Sequence, residues 1–268
     1  YQLNDFELAS RLSFTLFGLP PDDILLAEAQ AKKLTDPESY KLVVDRMLND
    51  PRALDHIDFF HAAWLGYQAM DGSTPLSKAM RDETKALLKR VVIDEKRPWT
   101  DIFLSRETFV NQDLARHYEL PVPSADNVWI TYPDRKRGGI LSHGSFLSLG
   151  AKFGDTSPVQ RGYHIRKQLF CEKISPPPPG IDVDEPPMGE VATSPCKEPN
   201  HYASTLRKGT SCISCHSRMD PVGFGLEQYN SAGKYRTAEP EKPQCVISGN
   251  GDMAPYGTFN GPGELGEI

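Results

Sequence analysis

Five consecutive residues, Cys212-Ile213-Ser214-Cys215-His216, constrain this chain more than any other stretch. Two thiols separated by two residues and followed at once by a histidine form the spacing at which haem c is attached to a chain. Each thiol can add to one vinyl group of the porphyrin, and the histidine then lies where its imidazole can ligate the iron. The pattern predicts one covalent haem c held through Cys212 and Cys215, with His216 as the proximal iron ligand.

Two other kinds of site share part of this spacing. A C-x-x-C pair is half of many structural zinc sites, but such a site needs two further ligands from a second pair. Cys171, Cys196 and Cys245 are single and far apart in the sequence, so no second pair is evident. A thioredoxin-like redox motif is expected beside a βαβ pattern, which is not visible here. Haem is favoured, and zinc or redox thiols are the alternatives.

The sequence around the motif resembles a known family pattern. After the motif the pattern is matched at Met219, Asp220, Pro221, Gly223, Phe224, Leu226, Glu227, Tyr229, Gly233 and Arg236. Ahead of it, residues 156–162 (TSPVQRG) and the proline run at 176–179 match the same family, and the opening LASRLSFTLFGLPPDDILLAEA matches its helical companion. The chain therefore resembles the planctomycete-type cytochrome c domain families, with their haem-bearing module and N-terminal helical domain, over nearly its whole length.

The resemblance implies a mainly α fold in two parts. We expect an N-terminal helical bundle over residues 1–125, followed by a loop-rich, mostly helical haem c module over residues 126–268. A further helical segment follows a similar phrase in the family, so residues 261–268 are expected to lie before a truncated C-terminus. The family pattern by itself assigns no reaction.

Helical periodicity supports the first part of this expectation. Apolar residues recur at helical spacing between Asn4 and Tyr118, and Asp5 is placed to cap the first helix. Helix boundaries are predicted at Pro20–Asp23, at Thr35–Glu38 and at Asn49–Pro51, because proline and capping residues cluster there.

Composition limits the function classes. The chain has 268 residues, of which 38% are hydrophobic and 25% charged, which is typical of a globular protein. The net charge of −6, with no evident basic face, argues against nucleic acid as a partner. No apolar run approaches the roughly 18 residues of a membrane-spanning helix, so no transmembrane segment is predicted.

The sixth iron ligand would decide the chemistry of the haem. Met253 is the first choice, because it lies in a glycine-rich stretch well past the motif, where a loop methionine ligates the iron in the small cytochromes c that this module resembles. His143 and His164 are the alternatives for a bis-histidine haem, and an open position is the third option.

Other residues are expected around the haem. Met219 follows His216 by three positions and so should pack near the porphyrin edge, while Phe224 and Tyr229 are candidates for the haem wall. Arg161 and Arg236 could pair with haem propionates, because a guanidinium matches a carboxylate in shape. Pro221 is expected to end the attachment helix.

Three cysteines remain after haem attachment, and two of them can form a disulfide. Haem c is attached outside the cytoplasmic membrane, where a disulfide is stable. Cys171, Cys196 and Cys245 allow three pairings, and a bond involving Cys245 is slightly favoured because it would fix the segment carrying Met253. The chain is therefore expected to be periplasmic or exposed at the cell surface.

These observations favour an exported monohaem c-type cytochrome that transfers single electrons to redox partner proteins, other cytochromes among them. One alternative is a peroxidase-like haem c oxidoreductase with an open distal position. Another is a haem-bearing structural or relay subunit of a larger extracytoplasmic assembly. The sequence names no substrate and no specific partner.

Overall fold

The computed structural model describes residues 2–70, 72–152, 155–176, 194–199, 201 and 213–268. Helices dominate this part of the chain, which confirms the predicted mainly α fold class. The α-helices are α1 (Asp5–Leu16), α2 (Asp23–Gln30), α3 (Pro37–Leu48), α4 (Pro51–Leu65), α5 (Pro75–Leu88), α6 (Gln112–His117), α7 (Gly144–Leu147), α8 (Pro158–Gln168), α9 (Ile213–Phe224) and α10 (Gly261–Leu265). Short 3-10 segments and one π-helical turn (Lys89–Asp94) lie between them.

The strands are short and form two-stranded antiparallel ladders. They are β1 (Glu107–Val110) with β2 (Val128–Thr131), β3 (Ala151–Lys152) with β4 (Asp155–Thr156), β5 (Ala238–Glu239) with β6 (Lys242–Val246), and β7 (Asn250–Asp252) with β8 (Thr258–Asn260). Ladders of this size need support from other elements to be stable.

Local capping explains where the early helices begin. Asp36 caps α3 by accepting a hydrogen bond from the Ser39 N–H, and Pro37 occupies the first helical position, as predicted. The first helix is capped by Asn4 and not by Asp5. The carboxylate of Asp5 instead accepts hydrogen bonds from the backbone N–H groups of Leu34 and Thr35, so it fixes the turn before α3.

The chain divides into two compact units, each of which has two segments. The first unit comprises Tyr1–Trp64 and Lys85–Trp99, and the second comprises Leu65–Thr84 and Thr100–Ile268. The apolar core of the first unit is formed by Ala9, Leu12, Phe17, Leu25, Ala29, Leu34, Val43, Met47 and Ala53. The predicted boundary at residue 125 and the bundle arrangement of the N-terminal part stay predictions.

Within the second unit, two glycines let α8 and α9 cross closely. A Cβ on Gly162 would lie 1.8 Å from the carbonyl oxygen of Met219, and a Cβ on Gly223 would lie 1.8 Å from that of Pro158. Since the obstructing atoms are backbone, any side chain at either position would force the helices apart. Gly162 and Gly223, which both belong to stretches that match the family pattern, thus serve the same helix contact.

Helix α9 differs from the sequence prediction in its length. It continues through Pro221 to Phe224, so the expectation that Pro221 ends it is wrong. Proline removes only one N–H donor from the helix, and the close packing of α9 on α8 supports the helix beyond that point. Among the described helices, none combines the length and the apolarity that a membrane crossing requires.

Candidate functional site

The second half of the five-residue motif lies at the start of α9. Cys215 and His216 are both partly buried there, and Cys215 carries a free thiol. Cys212 lies outside the described residues, so its predicted thioether bond stays a prediction. The described half of the motif therefore presents a thiol and an imidazole on adjacent residues of one helix.

Asp220 fixes the ring of His216. Its side chain is fully buried, and its Oδ2 and Oδ1 atoms lie 2.9 and 3.1 Å from Nδ1 of His216, one helical turn away. An i, i+4 spacing places two side chains on the same face of a helix. Of the described residues, none hydrogen-bonds Nε2 of His216. The His216 side chain is 24% exposed, so part of its ring is accessible.

A second histidine reaches the same carboxylate. Nε2 of His201 lies 2.6 Å from Oδ2 of Asp220, and the His201 ring packs edge-on against Phe224 with centroids 5.3 Å apart. Burial alone would raise the pKa of Asp220, but the hydrogen bonds from His201 and His216 hold it below its usual value. Asp220 is therefore a buried carboxylate that stays ionised between two imidazoles.

Met219, Phe224 and Tyr229, which were predicted to lie beside the haem, are all buried. Phe224 is in contact with His201, and Met219 directs its backbone carbonyl at Gly162 of α8. Tyr229 is buried farther along the chain, and its hydroxyl donates to the carbonyl of Lys136. Contacts of these three side chains with a haem stay predictions.

The two arginines predicted to meet propionates are held by protein groups. Arg161 is 4% exposed and donates to the carbonyls of Leu147, Leu226, Tyr229 and Asn230 and to the carboxylate of Glu227. Arg236 donates to Asp155, Thr156 and Glu227. The structure accounts for both guanidinium groups without a propionate, and pairing with one stays an untested prediction.

The three candidates for the sixth ligand lie in different surroundings. Met253 is fully buried in the turn between β7 and β8, and its N–H donates to the carbonyl of Gly257. The carbonyl of the next residue, Ala254, accepts a hydrogen bond from Arg166 of α8. Ligation of iron by Met253 is not tested by these contacts.

The two alternative histidines already have partners. Nδ1 of His143 lies 3.0 Å from the Thr84 hydroxyl, and burial lowers the pKa of His143 to about 3. Nε2 of His164 lies 2.6 Å from the carbonyl of Leu65, and burial also lowers the pKa of His164. His164 lines a cavity of about 380 Å³, whose walls include Phe146 and Leu149.

The cysteines outside the motif include one disulfide. Cys196 and Cys245 are bonded, with an S–S distance of 2.15 Å, and Cys171 is exposed and free. This selects one of the three pairings that the sequence left open, and it involves Cys245 as favoured. The bond joins residue 245 at the end of β6 to a segment 49 residues earlier.

The donor set around His216 fits a haem c, a cofactor that the motif implies. An ionised carboxylate only accepts hydrogen bonds, so Nδ1 of His216 must carry a proton and donate to Asp220. In the neutral imidazole, Nε2 then has the free lone pair that iron ligation needs. The preceding residue, Cys215, supplies a free thiol. Zinc stays the alternative, because ligand atoms of His201, His216 and Asp220 lie within 4.8 Å of one another.

Sequence reasoning missed two members of this site. Asp220 was noted only as a position that matches the family pattern, although its i, i+4 spacing from His216 could have indicated the hydrogen bond. His201 carries no such signal, because its link to Asp220 depends on how a distant segment folds back onto α9.

Comparisons with known proteins agree with this picture at the level of families. Residues 3–120 match the family described as PSD4, protein of unknown function (DUF1592), and residues 137–239 match the family described as PSCyt3, protein of unknown function (DUF1588). These are planctomycete cytochrome c-type domain families, so the two matches support the resemblance found in the sequence. Searches of curated proteins and of solved structures found no match.

Proposed function

Because two planctomycete cytochrome c-type domain families match most of the chain, we propose that it is an exported monohaem c-type cytochrome that transfers single electrons. The observation that carries the proposal is the state of His216. Nδ1 of its ring is hydrogen-bonded to Asp220, and Nε2 has no hydrogen-bond partner among the described residues. The preceding residue, Cys215, has a free thiol.

Each residue of the site has a defined part in this function. Cys212 and Cys215 would hold the haem covalently, and His216 would ligate its iron through Nε2. The bound haem would supply a ferric–ferrous couple that takes up and releases one electron. Asp220 fixes the tautomer and the orientation of the imidazole, as carboxylates do beside metal-bound histidines.

The disulfide supports the extracytoplasmic location that haem c attachment requires. A bond such as Cys196–Cys245 is stable in an oxidising compartment and rare in the cytosol. We therefore place the protein in the periplasm or at the cell surface, where its partners would be other redox proteins.

A peroxidase-like haem c oxidoreductase is the second candidate, and Asp220 favours it. An anionic hydrogen-bond acceptor on Nδ1 increases the basicity of the ligating imidazole, which stabilises higher oxidation states of a bound metal. Electron transfer and peroxide chemistry would differ at the sixth position: a strong protein ligand suits the first, and an open position suits the second.

Absorption spectroscopy tests the proposal. We expect the protein, produced in a periplasm with haem c maturation, to give the pyridine haemochrome of haem c and to keep its haem on denaturation. Cys215→Ala should lose one thioether bond, and His216→Ala should lose the proximal ligand. Cys171→Ala is the matched control, because it removes an exposed thiol outside the motif. Absence of haem from the wild-type protein would refute the proposal and favour zinc.

The sixth ligand is tested by a second set of spectra. A Met–Fe(III) charge-transfer band that disappears in Met253→Ala but persists in Met219→Leu would support electron transfer with Met253 as ligand. A high-spin ferric spectrum that shifts on adding cyanide or peroxide would support the peroxidase-like candidate.

A further inference from the structure

One carboxylate oxygen on α9 is shared by two histidines. Oδ2 of Asp220 lies 2.9 Å from Nδ1 of His216 and 2.6 Å from Nε2 of His201. Asp220 is fully buried and the His201 side chain is 12% exposed, so water does not compete strongly for these bonds. His216, the proximal ligand of the proposed haem, is therefore linked to His201 by hydrogen bonds to one buried carboxylate.

We propose that Asp220 and His201 are positioning residues that shift the reduction potential of the haem held by His216 in opposite directions, Asp220 lowering it and His201 raising it. This inference rests on the proposed function. It adds His201 to the site and assigns a separate effect to each residue.

The direction for Asp220 follows from charge. As an ionised acceptor it draws the Nδ1 proton of His216 and gives the imidazole partial imidazolate character. A more electron-rich ligand stabilises ferric iron relative to ferrous iron. Replacing the carboxylate by a neutral amide should therefore raise the potential.

The direction for His201 follows from competition for the same oxygen. Since the carboxylate can only accept, Nε2 of His201 donates its proton to Oδ2. A second donor draws negative charge away from the bond to His216, so it weakens the effect of Asp220. Removing this donor should leave a stronger Asp220–His216 bond and lower the potential.

A packing role alone would give a different result. The His201 ring contacts Phe224, so an aromatic replacement keeps the shape while removing the donor. His201→Phe tests the hydrogen bond, and His201→Gln restores an N–H donor without the ring. Asp220→Asn tests the charge, and Asp220→Glu keeps the charge if the amide variant does not fold.

The experiment is a potentiometric titration of the wild-type holoprotein and these variants at one fixed pH. We expect Asp220→Asn to raise the potential and His201→Phe to lower it, each by at least a tenfold change in the ferric-to-ferrous ratio, which is about 59 mV for one electron. His201→Gln and Asp220→Glu should stay nearer to the wild-type value.

The outcomes separate this inference from the proposed function. The inference would be overturned if the potentials of Asp220→Asn and His201→Phe moved in the same direction or did not move. A haem c spectrum in the same samples would still support the proposed cytochrome function. If Asp220→Asn does not fold, the potentials of His201→Phe and Asp220→Glu decide. Wild-type protein without haem would refute the function itself.

Discussion

Glu83 and Glu227 are buried carboxylates in the same compact unit, yet opposite kinds of donor surround them. Glu83 accepts from the hydroxyls of Thr108, Tyr118 and Tyr132. Glu227 accepts from the cations Arg161, Lys197 and Arg236, and from the hydroxyl of Thr156. Both side chains are nearly inaccessible, so the difference between them lies in their partners and not in burial.

The hydroxyl-lined site leaves its carboxylate titratable. Burial raises the pKa of Glu83 to about 7, although the hydroxyl hydrogen bonds and the charge of Arg137 act in the other direction. Nε2 of His143, which has no hydrogen-bond partner among the described residues, lies 3.7 Å from Oε1 of Glu83. The hydroxyl donors and Arg137 therefore do not offset the cost of burying the Glu83 charge.

The cation-lined site joins segments that are distant in the sequence. Asp155 and Arg161 lie in one segment, Glu227 and Arg236 lie in a second, and Lys197 lies between them in the sequence. The pKa of Asp155 in this network is lowered to about 2. Burial opposes that shift, and the backbone N–H of Thr156 together with Lys197 and Arg236 produces it. Full charge pairing thus stabilises the buried carboxylate at which several chain segments meet.

Substitution in the cation-lined site should destabilise the protein most. Arg161→Ala would leave Glu227 with a weaker charge balance and would remove a buried donor from five backbone carbonyls, so we expect the free energy of unfolding to fall by about 3–5 kcal/mol. Urea denaturation measures this. Arg135→Ala, which removes an exposed cation 3.6 Å from Glu267, is the control and should cost less than about 1 kcal/mol. Equal losses in the two variants would contradict the network.

The next effect is a pH dependence at the hydroxyl-lined site. With its folded pKa raised from 4.5 to about 7, Glu83 binds a proton in the folded state over a range where the unfolded chain has released it. Stability from this group is complete below pH 4.5 and is lost as the pH rises through 7, by about 3 kcal/mol in all.

Glu83→Gln should remove this pH dependence, because an amide does not titrate. Between about pH 4.5 and 8, the free energy of unfolding should change less with pH for Glu83→Gln than for the wild type. Glu119→Gln, an exposed site, should keep the wild-type slope. An unchanged slope in Glu83→Gln would show that Glu83 is ionised throughout this range.

The smallest effect separates two hydroxyls on Glu83. The Tyr118 hydroxyl lies 2.6 Å from Glu83 and also accepts from the Gly144 N–H, whereas the Tyr132 hydroxyl lies 3.4 Å from Glu83. Tyr118→Phe should lower the free energy of unfolding by about 1–3 kcal/mol, and Tyr132→Phe by less than about 1 kcal/mol. Thermal unfolding at about pH 8 would rank the pair, and a reversed order would mean that Tyr132 is the principal donor.

Several features of the protein follow from the sequence alone. The start of α3 at Asp36-Pro37 and the break between α3 and α4 near Asn49 were predictable, because caps and prolines act within one helical turn. The mainly α fold class, and the placement of a thiol beside an imidazole at Cys215 and His216, could also be predicted from the sequence. The hydrogen bond from His216 to Asp220, which sequence reasoning missed, is also local, since both residues share one turn of α9.

Other features were decided by the tertiary structure. The choice of Cys196 as the partner of Cys245, the approach of His201 to Asp220 and the burial of Arg161 against Glu227 all join residues between 19 and 66 positions apart. Their spacing in the sequence carries no periodicity, and their partners depend on how distant segments fold back on the crossing of α8 and α9. Interactions within one helical turn therefore determined the helix ends and the place of His216 on α9. Long-range packing determined which charged side chains meet around them.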